Sequence, residues 1–400
     1  MKLSNLKITL LENTPFLKED GTFNLDKAMD FSGKVAGICY NEDGLLASFK
    51  EESEKTLKRV NSSALGEHQS VFEHVNIGMY LKDSSKMLNM VLNNEGQYST
   101  SERSLRYTTI KEDECNLTNR EIKLYEKWYK ILYELIEKEY GDTLKPFKIR
   151  TLAKENARYM TSTFINTEMV HTIPLAQLNR VVSYMKDYIN KPNKDDFEER
   201  LSKDFEMFID NCQNLNVLDE RLQSNRKNRK LRAFGENLKE IPEEFGDSYS
   251  TTYLGSFAEY AQKERHRREG SEFERDAMNG FFVPPILLEM YPELVKEWLD
   301  DIKSVQEQIP QGELITIHET GTFDSFIAKL KERDCSAAQL EIFRQSEATK
   351  KKYYEALKEK NHPYVKKLEP YMGKRRCGYP DYTCNRPCGF REGITGSRRV

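Results

Sequence analysis

Three observations predict an α+β fold (mixed α/β) in two successive halves. Short strand-like runs are interspersed with long helical patterns, which argues against a pure bundle. A polar stretch from Asn190 to Arg232 separates the halves. Small motifs recur in both halves in incomplete, complementary form. At 400 residues the chain is long enough for two domains with a large core.

The strand candidates are Leu3 to Leu11, Val75 to Leu81 and Leu314 to Ile317. Thr118-x-x-Glu121 is a capping box, followed by Ile122, Tyr125, Leu132, Leu135 and Ile136 at helical spacing and stopped by Gly141. In that helix Trp128, Tyr129 and Tyr133 read as packing residues. A second helix is expected to start at Ser336-x-x-Gln339 and to place Leu340, Phe343, Tyr354 and Leu357 on one face. The 190–232 stretch reads as a charged helix plus a solvated linker. The divisions expected are a first repeat over 1–190, the charged insertion over 191–232, a second repeat over 233–360 and a Cys-containing tail over 361–400.

Composition excludes several functions. With 38% hydrophobic and 32% charged residues the chain suits a helix-rich protein with much solvated surface. A net charge of −3 gives no global basic field for nucleic acid. The basic run Arg226 to Arg232 lacks the interleaved aromatics of an RNA-binding surface. No window approaches the roughly 18 apolar residues of a membrane span, and Met1-Lys2-Leu3-Ser4 opens no secretory segment. The expectation is a cytoplasmic protein without a membrane partner.

The seven cysteines are an odd count, with Cys39, Cys115, Cys212 and Cys335 scattered singly, as reduced thiols are. Cys377-x6-Cys384-x3-Cys388 is one ligand short of a structural zinc site, with His362 the remaining candidate. No metal is expected.

The motifs carry the functional reading. The first half holds Ser99-Thr100-Ser101-Glu102-Arg103-Ser104-Leu105-Arg106-Tyr107, an S-x-x-E-x-S-x-R-Y run, preceded by His68-Gln69-Ser70-Val71-Phe72-Glu73-His74. The second holds Gln262-Lys263-Glu264-Arg265-His266-Arg267, then Phe281-Phe282-Val283-Pro284-Pro285, then Glu332 to Ile342, which contains R-x-C-x-x-A-Q-x-E-I. Where the first half should carry R-H-R it has Asn94-Glu95-Gly96. Where the second should carry S-x-R it has Arg275 and Ala277. Arg158 in the first half is answered by Gln306, and Arg333 in the second by Met185. Each half lacks what the other has at three places.

This composite resembles the signature of the flavin-dependent thymidylate synthases. Lys34 to Tyr40 looks like that family's first helix. The resemblance implies two fused repeats, each a mixed sheet with flanking helices, sharing one complete site. It implies methylation of dUMP to dTMP with FAD as cofactor, 5,10-methylenetetrahydrofolate as carbon donor and NADPH as reductant. Contacts to dUMP are implied at Glu102, Ser104, Leu105, Arg106, Arg158, Gln262 and Arg265, with Arg333 as the catalytic arginine. Cofactor contacts are implied at Ser70, Glu73, Arg265, His266 and Arg267, and the folate side at His68 and Tyr107. The family's further flavin-holding N-x-R and asparagine fall on Pro174, Ala176 and Arg180 in one half and on Thr322, Asp324 and Ala328 in the other, so neither half supplies them.

The residue types suit these roles. Arg106 and Arg158 offer permanently charged planar forks for a phosphate dianion. Gln262 can both donate to and accept from a base, and Tyr107 can stack on a pterin. Arg333 would stabilise charge on the uracil ring. Family sites lie at subunit interfaces, so a tandem chain is expected to form a homodimer. Two other readings stand beside this one: (hydroxy)methylation of dUMP or dCMP, and a non-catalytic nucleotide-binding protein of the same fold.

Overall fold

The protein is described from a computed structural model that covers residues 5–66, 68–110, 115–225, 228–235, 238–266, 268–385, 387–390 and 398–400. Arg267, Leu3, Ser4, Arg226 and Lys227, all named above, lie outside the described residues.

In chain order the first elements are β1 (Lys7–Leu10), α1 (Leu25–Ala36), α2 (Leu45–Phe49), α3 (Ser53–Leu65), β2 (Asn76–Ser85), α4 (Lys86–Asn94) and β3 (Ser99–Glu102). Next come α5 (Asn119–Tyr140), α6 (Pro146–Ala157), β4 (Asn166–Pro174), α7 (Leu175–Ile189) and α8 (Asp196–Asn214). The second half contributes β5 (Glu244–Phe245), β6 (Ser248–Ser256), α9 (Phe257–Lys263), β7 (Gly270–Arg275), α10 (Pro285–Met290), α11 (Val295–Lys303) and β8 (Leu314–Thr322). It closes with α12 (Phe323–Arg333), α13 (Leu340–Glu359) and α14 (Val365–Leu368).

Two four-stranded sheets share one topology, β1-β2-β4-β3 and β5-β6-β8-β7, with all pairings antiparallel. The correspondence extends to single positions. Ser104 stands five residues after the start of β3 and Arg275 five after the start of β7. Arg158 precedes the start of β4 by eight residues, as Gln306 precedes β8. Met185 and Arg333 both lie ten residues into the helix that follows, α7 and α12.

The chain divides into two compact units that do not coincide with its halves. One consists of Leu3–Arg103 and Asn166–Leu231, and the other of Ser104–Ile165 and Arg232–Val400. The middle of the first half therefore belongs to the unit built on the second sheet.

In the first-sheet unit, β2 and β4 bury Ile77, Met79, Leu81, Met169 and Ile173. Helix α8 opens on a capping box at Asp195 and buries Phe197, Leu201, Phe205, Phe208 and Cys212. Val217, Leu222 and Leu231 beyond it are buried too, so these three apolar residues of the stretch expected as a solvated linker belong to the core. Single apolar residues set among charges in the sequence account for that difference.

In the second-sheet unit, α5 has the expected capping box at Thr118 and ends at Gly141. Trp128 is fully buried, meets Trp298 of α11 edge-on at 4.9 Å and donates through Nε1 to Asp301 at 3.0 Å. Equivalent segments of the two halves pair here about a local two-fold. Thr163 N donates to Ile309 O at 2.9 Å and Gln311 N to Thr161 O at 2.7 Å, around a Ser162–Pro310 bridge. A Cβ at Gly312 would lie 3.0 Å from Tyr159 Cβ and 2.7 Å from Ile302 Cδ1, so a larger residue here would force its neighbours to shift.

Helix α13 departs from its expected start. It begins at Leu340, and Gln339 makes no side-chain cap hydrogen bond. The Gln339 amide faces the candidate site instead.

Candidate functional site

The sequence-predicted residues Ser104, Leu105, Arg106, Tyr107, Arg158, Gln262, Arg265, His266 and Arg333 belong to the second-sheet unit. His68, Ser70, Glu73 and Glu102 belong to the other.

A tight turn presents Arg106. Ser104 O accepts from the backbone N–H groups of Tyr107 and Thr108, both at 3.1 Å, and Ser104 Oγ accepts from Arg106 N at 3.4 Å. Leu105 anchors the turn in a small core with Leu117, Ile122 and Ile165. Arg106 Nη1 donates to Glu155 Oε2 at 3.2 Å, and its guanidinium lies 5.4 Å from the exposed Tyr107 ring. Arg106 Nε is buried without a hydrogen-bond partner among the described residues. A buried N–H of a charged group left unbonded is costly, and an acceptor supplied from outside would relieve it.

Arg158, at the C-terminus of α6, is buried. Its Nε donates to Glu155 O at 3.2 Å and its Nη2 to Gln339 Oε1 at 2.9 Å. Gln339 Nε2 in turn donates to Tyr159 OH at 2.8 Å, and that hydroxyl donates to Glu341 Oε2 at 2.9 Å. Glu341 also accepts from Ser256 N at 2.7 Å and Ser256 Oγ at 2.6 Å. Ser256 is the N-cap of α9, so this chain of bonds runs from Arg158 to the helix that carries Gln262. Burial pushes the Glu341 carboxyl up and the Arg158 guanidinium down from their ordinary values.

Helix α9 ends at Lys263, and a turn carrying Arg265 and His266 follows. His266 N donates to Lys263 O at 2.9 Å and Glu269 N to His266 O at 3.1 Å. Arg333, the last residue of α12, donates through Nε to His266 Nε2 at 2.7 Å and through Nη2 to Gln262 O at 2.9 Å. His266 is held well below its usual range, first by burial and then by the positive charges of Arg333, Lys329 and Lys263. The imidazole is therefore neutral, with its proton on Nδ1 and Nε2 accepting from Arg333. The orienting hydrogen bonds leave Arg333 with one preferred pose.

Positive charges gather around these residues. Burial lowers Arg333, and the nearby charges of Arg106 and Arg265 lower it further. Arg106 also lowers Arg158, and with Arg398 it lowers Lys148, where burial is again the main cause. Such a set of guanidinium groups repels itself and is suited to an anion with several acceptor oxygens.

The residues of the other unit are held differently. The Glu102 side chain is buried and accepts from Lys86 Nζ at 2.7 Å and Asn89 Nδ2 at 3.2 Å. Glu73 accepts from Arg180 Nη2 at 2.6 Å. His68 and Ser70 are exposed beside a short turn whose Gln69 and Phe72 are buried. In the positions lacking R-H-R, Glu95 O accepts from Gln177 at 2.6 Å and Glu95 Oε2 from Arg229 at 3.0 Å. Among the described residues no three His, Cys, Asp or Glu side chains gather as metal ligands, and Cys377, Cys384 and Cys388 are free thiols.

Sequence reasoning missed Glu155, Tyr159, Gln339 and Glu341 as parts of this network. Gln339 and Glu341 stood within the quoted A-Q-x-E-I run, but a glutamine before an apolar helix reads as a cap.

Residues 27–191 match the family model described as thymidylate synthase complementing protein. Over that segment the chain is similar to this family. The matched residues include Ser104, Arg106 and Arg158 and end before Gln262. One similar solved structure is Thymidylate Synthase X (ThyX) from Helicobacter pylori with FAD and dUMP, at 14% identity and a TM-score of 0.32, covering 55% of this chain and 100% of that one. Another is a UMP/dUMP methylase, PolB, from Streptomyces cacaoi bound with 5-Br dUMP, at 13% identity and a TM-score of 0.33, covering 55% of this chain and 94% of that one. No curated protein matches this chain. Among the described residues no helix is long and apolar enough to cross a membrane.

Proposed function

We propose that this ThyX-like protein methylates dUMP to dTMP in a flavin-dependent reaction, with methylenetetrahydrofolate as carbon donor and NADPH as reductant. The observation that carries this reading is Arg106 Nε, buried without a hydrogen-bond partner among the described residues, within a group of arginines contributed by both halves. A nucleotide phosphate supplies the charge and the acceptor oxygens such a group lacks.

In this reading Arg106, braced by Glu155, binds the phosphate, Arg158 adds charge beside it and Ser104 adds a hydroxyl donor. Gln262 reads the base edge. Arg333, oriented by His266 and the Gln262 carbonyl, stabilises negative charge on the uracil N3/O4 edge while C5 acts as nucleophile. The donors of Arg265 and the neutral His266 suit an anionic, planar cofactor, and these two residues would hold FAD. When bound, the flavin supplies the hydride that completes the methyl group. At the family's further flavin-holding positions, Thr322 caps α12 and Arg180 is paired with Glu73. Arg267, Ser70 and Glu73 remain proposed cofactor contacts, and His68 and Tyr107 the proposed folate side.

Because Arg106, Arg158, Gln262, Arg265 and Arg333 belong to one unit of one chain, this wall of the site needs no neighbouring subunit. A homodimer, cytoplasmic, is the assembly we propose, with light scattering as its check. The overall reading is tested by adding FAD and then dUMP to purified protein. Bound flavin whose visible spectrum shifts with dUMP is the expected result, and no flavin binding with or without dUMP contradicts it.

A further inference from the structure

Behind the Arg265–His266 turn lies a buried group of ions. Glu319 of β8 accepts from Lys329 Nζ at 2.7 Å through both oxygens and lies 3.0 Å from Lys263 Nζ. Lys263 Nζ also lies 3.3 Å from Glu269 Oε2. Tyr249 and Tyr253 donate to Glu319 at 2.5 and 3.1 Å. The side chains of Lys263, Glu269, Glu319 and Lys329 are all 1% exposed or less. Removing four ionised groups from water carries a large desolvation cost, and apolar replacements of similar volume are often as stable or more so.

The first repeat provides a version without these charges. Lys263 lies six residues into α9, and Leu92 six into α4. Glu269 immediately precedes β7 as Tyr98 precedes β3. Glu319 is five residues into β8, and His171 five into β4. Lys329 and Val181 are six into α12 and α7. Leu92, Tyr98, His171 and Val181 are buried as well. The same scaffold thus closes its core without these ions in the repeat that lacks R-H-R, so the fold does not require them.

What differs is what they hold. Lys263 and Glu269 flank the turn that carries Arg265 and His266, and their side chains bridge across its base. Lys329 lies one helical turn before Arg333 on α12. Glu319 joins the two. We infer that Lys263, Glu269, Glu319 and Lys329 are positioning residues that fix the Arg265–His266 turn against Arg333. This rests on the nucleotide site proposed above, for which Arg333 must meet the base in one pose.

The test transplants the other repeat's residues, combining Lys263→Leu, Glu269→Tyr, Glu319→His and Lys329→Val in the full chain. Melting temperature, amide hydrogen exchange of the 257–275 peptide and dUMP affinity by calorimetry are measured. The expected result is a folded protein whose 257–275 amides exchange faster and whose dUMP affinity falls about tenfold or more, as displaced contact groups cause. Exchange in the 86–103 peptide stays unchanged. If the fourfold variant does not fold, Glu319→Gln must show both losses and Glu319→Asp must recover them. Unchanged exchange and affinity in the folded variant, or equal behaviour of Gln and Asp at 319, overturns the inference. Wild-type protein that binds no dUMP sinks the proposed function instead, and the exchange data still decide the positioning role.

Discussion

Arg106 and Arg333 occupy different places in the proposed reaction, so their removal separates binding from chemistry. Arg106→Gln is expected to weaken dUMP binding by about 2 kcal/mol, the worth of a charge-assisted hydrogen bond, as read by calorimetry. Arg333→Ala is expected to lower kcat by about two orders of magnitude, typical of a lost transition-state donor, with a smaller change in dUMP affinity. Equal losses in both quantities for both variants would contradict the assignment. These arginines were legible in the sequence because each half carries motif pieces whose absence in the other half can be counted. Glu155 and Lys263 were not, because a charged side chain on a helix reads as solvated surface until the fold covers it, and Gln339 was not, because it reads as a helix cap. His171 is a further residue known only from structure: buried, stacked on Tyr98 at 5.2 Å, and with both ring nitrogens unbonded among the described residues. Burial alone lowers it to about 4. The unfolded chain therefore binds this proton near pH 6.5 and the folded chain near 4, so its contribution is intact above 6.5 and is lost as pH falls through 4. The loss in unfolding free energy between those limits is expected to be about 3 kcal/mol smaller in His171→Leu, measured by denaturant titration at each pH.

At the scale of elements, α5 was the most legible, since its capping box, apolar period and terminal glycine all agree. Thr118→Ala is expected to cost about 1 kcal/mol, seen as a lower denaturant midpoint with an unchanged slope. The strands β4 and β6 escaped notice for a physical reason. The sequence of β6, Ser248-Tyr249-Ser250-Thr251-Thr252-Tyr253-Leu254-Gly255-Ser256, hides its buried face in small hydroxyl residues. In β4 a buried histidine and threonine stand at positions where alternation leads one to expect aliphatics. Helix α8 was legible as a helix, but its row of phenylalanines was masked by the charges between them, and with it the burial of the residues that follow.

Across the whole molecule, the repeat was visible in the sequence and the exchange of chain between units was not. Motif counting shows that Ser104, Arg106 and Arg158 complement Gln262, Arg265 and Arg333. Only tertiary contacts reveal that residues 104–165 leave the first sheet's unit and join the second's. The local two-fold at Ser162 and Pro310, where equivalent backbones hydrogen-bond to each other, ties that segment to its counterpart in the second half. The proposed site, assembled from both repeats within one unit, would explain why each repeat can lose half of the motif. Its proposed action is to activate C5 of dUMP. Tritium release from C5-labelled dUMP, with FAD, NADPH and methylenetetrahydrofolate present, tests it most directly. Release into water with formation of dTMP is expected, slowed by about two orders of magnitude in Arg333→Ala. No release from labelled dUMP would contradict it, whether or not labelled dCMP releases tritium.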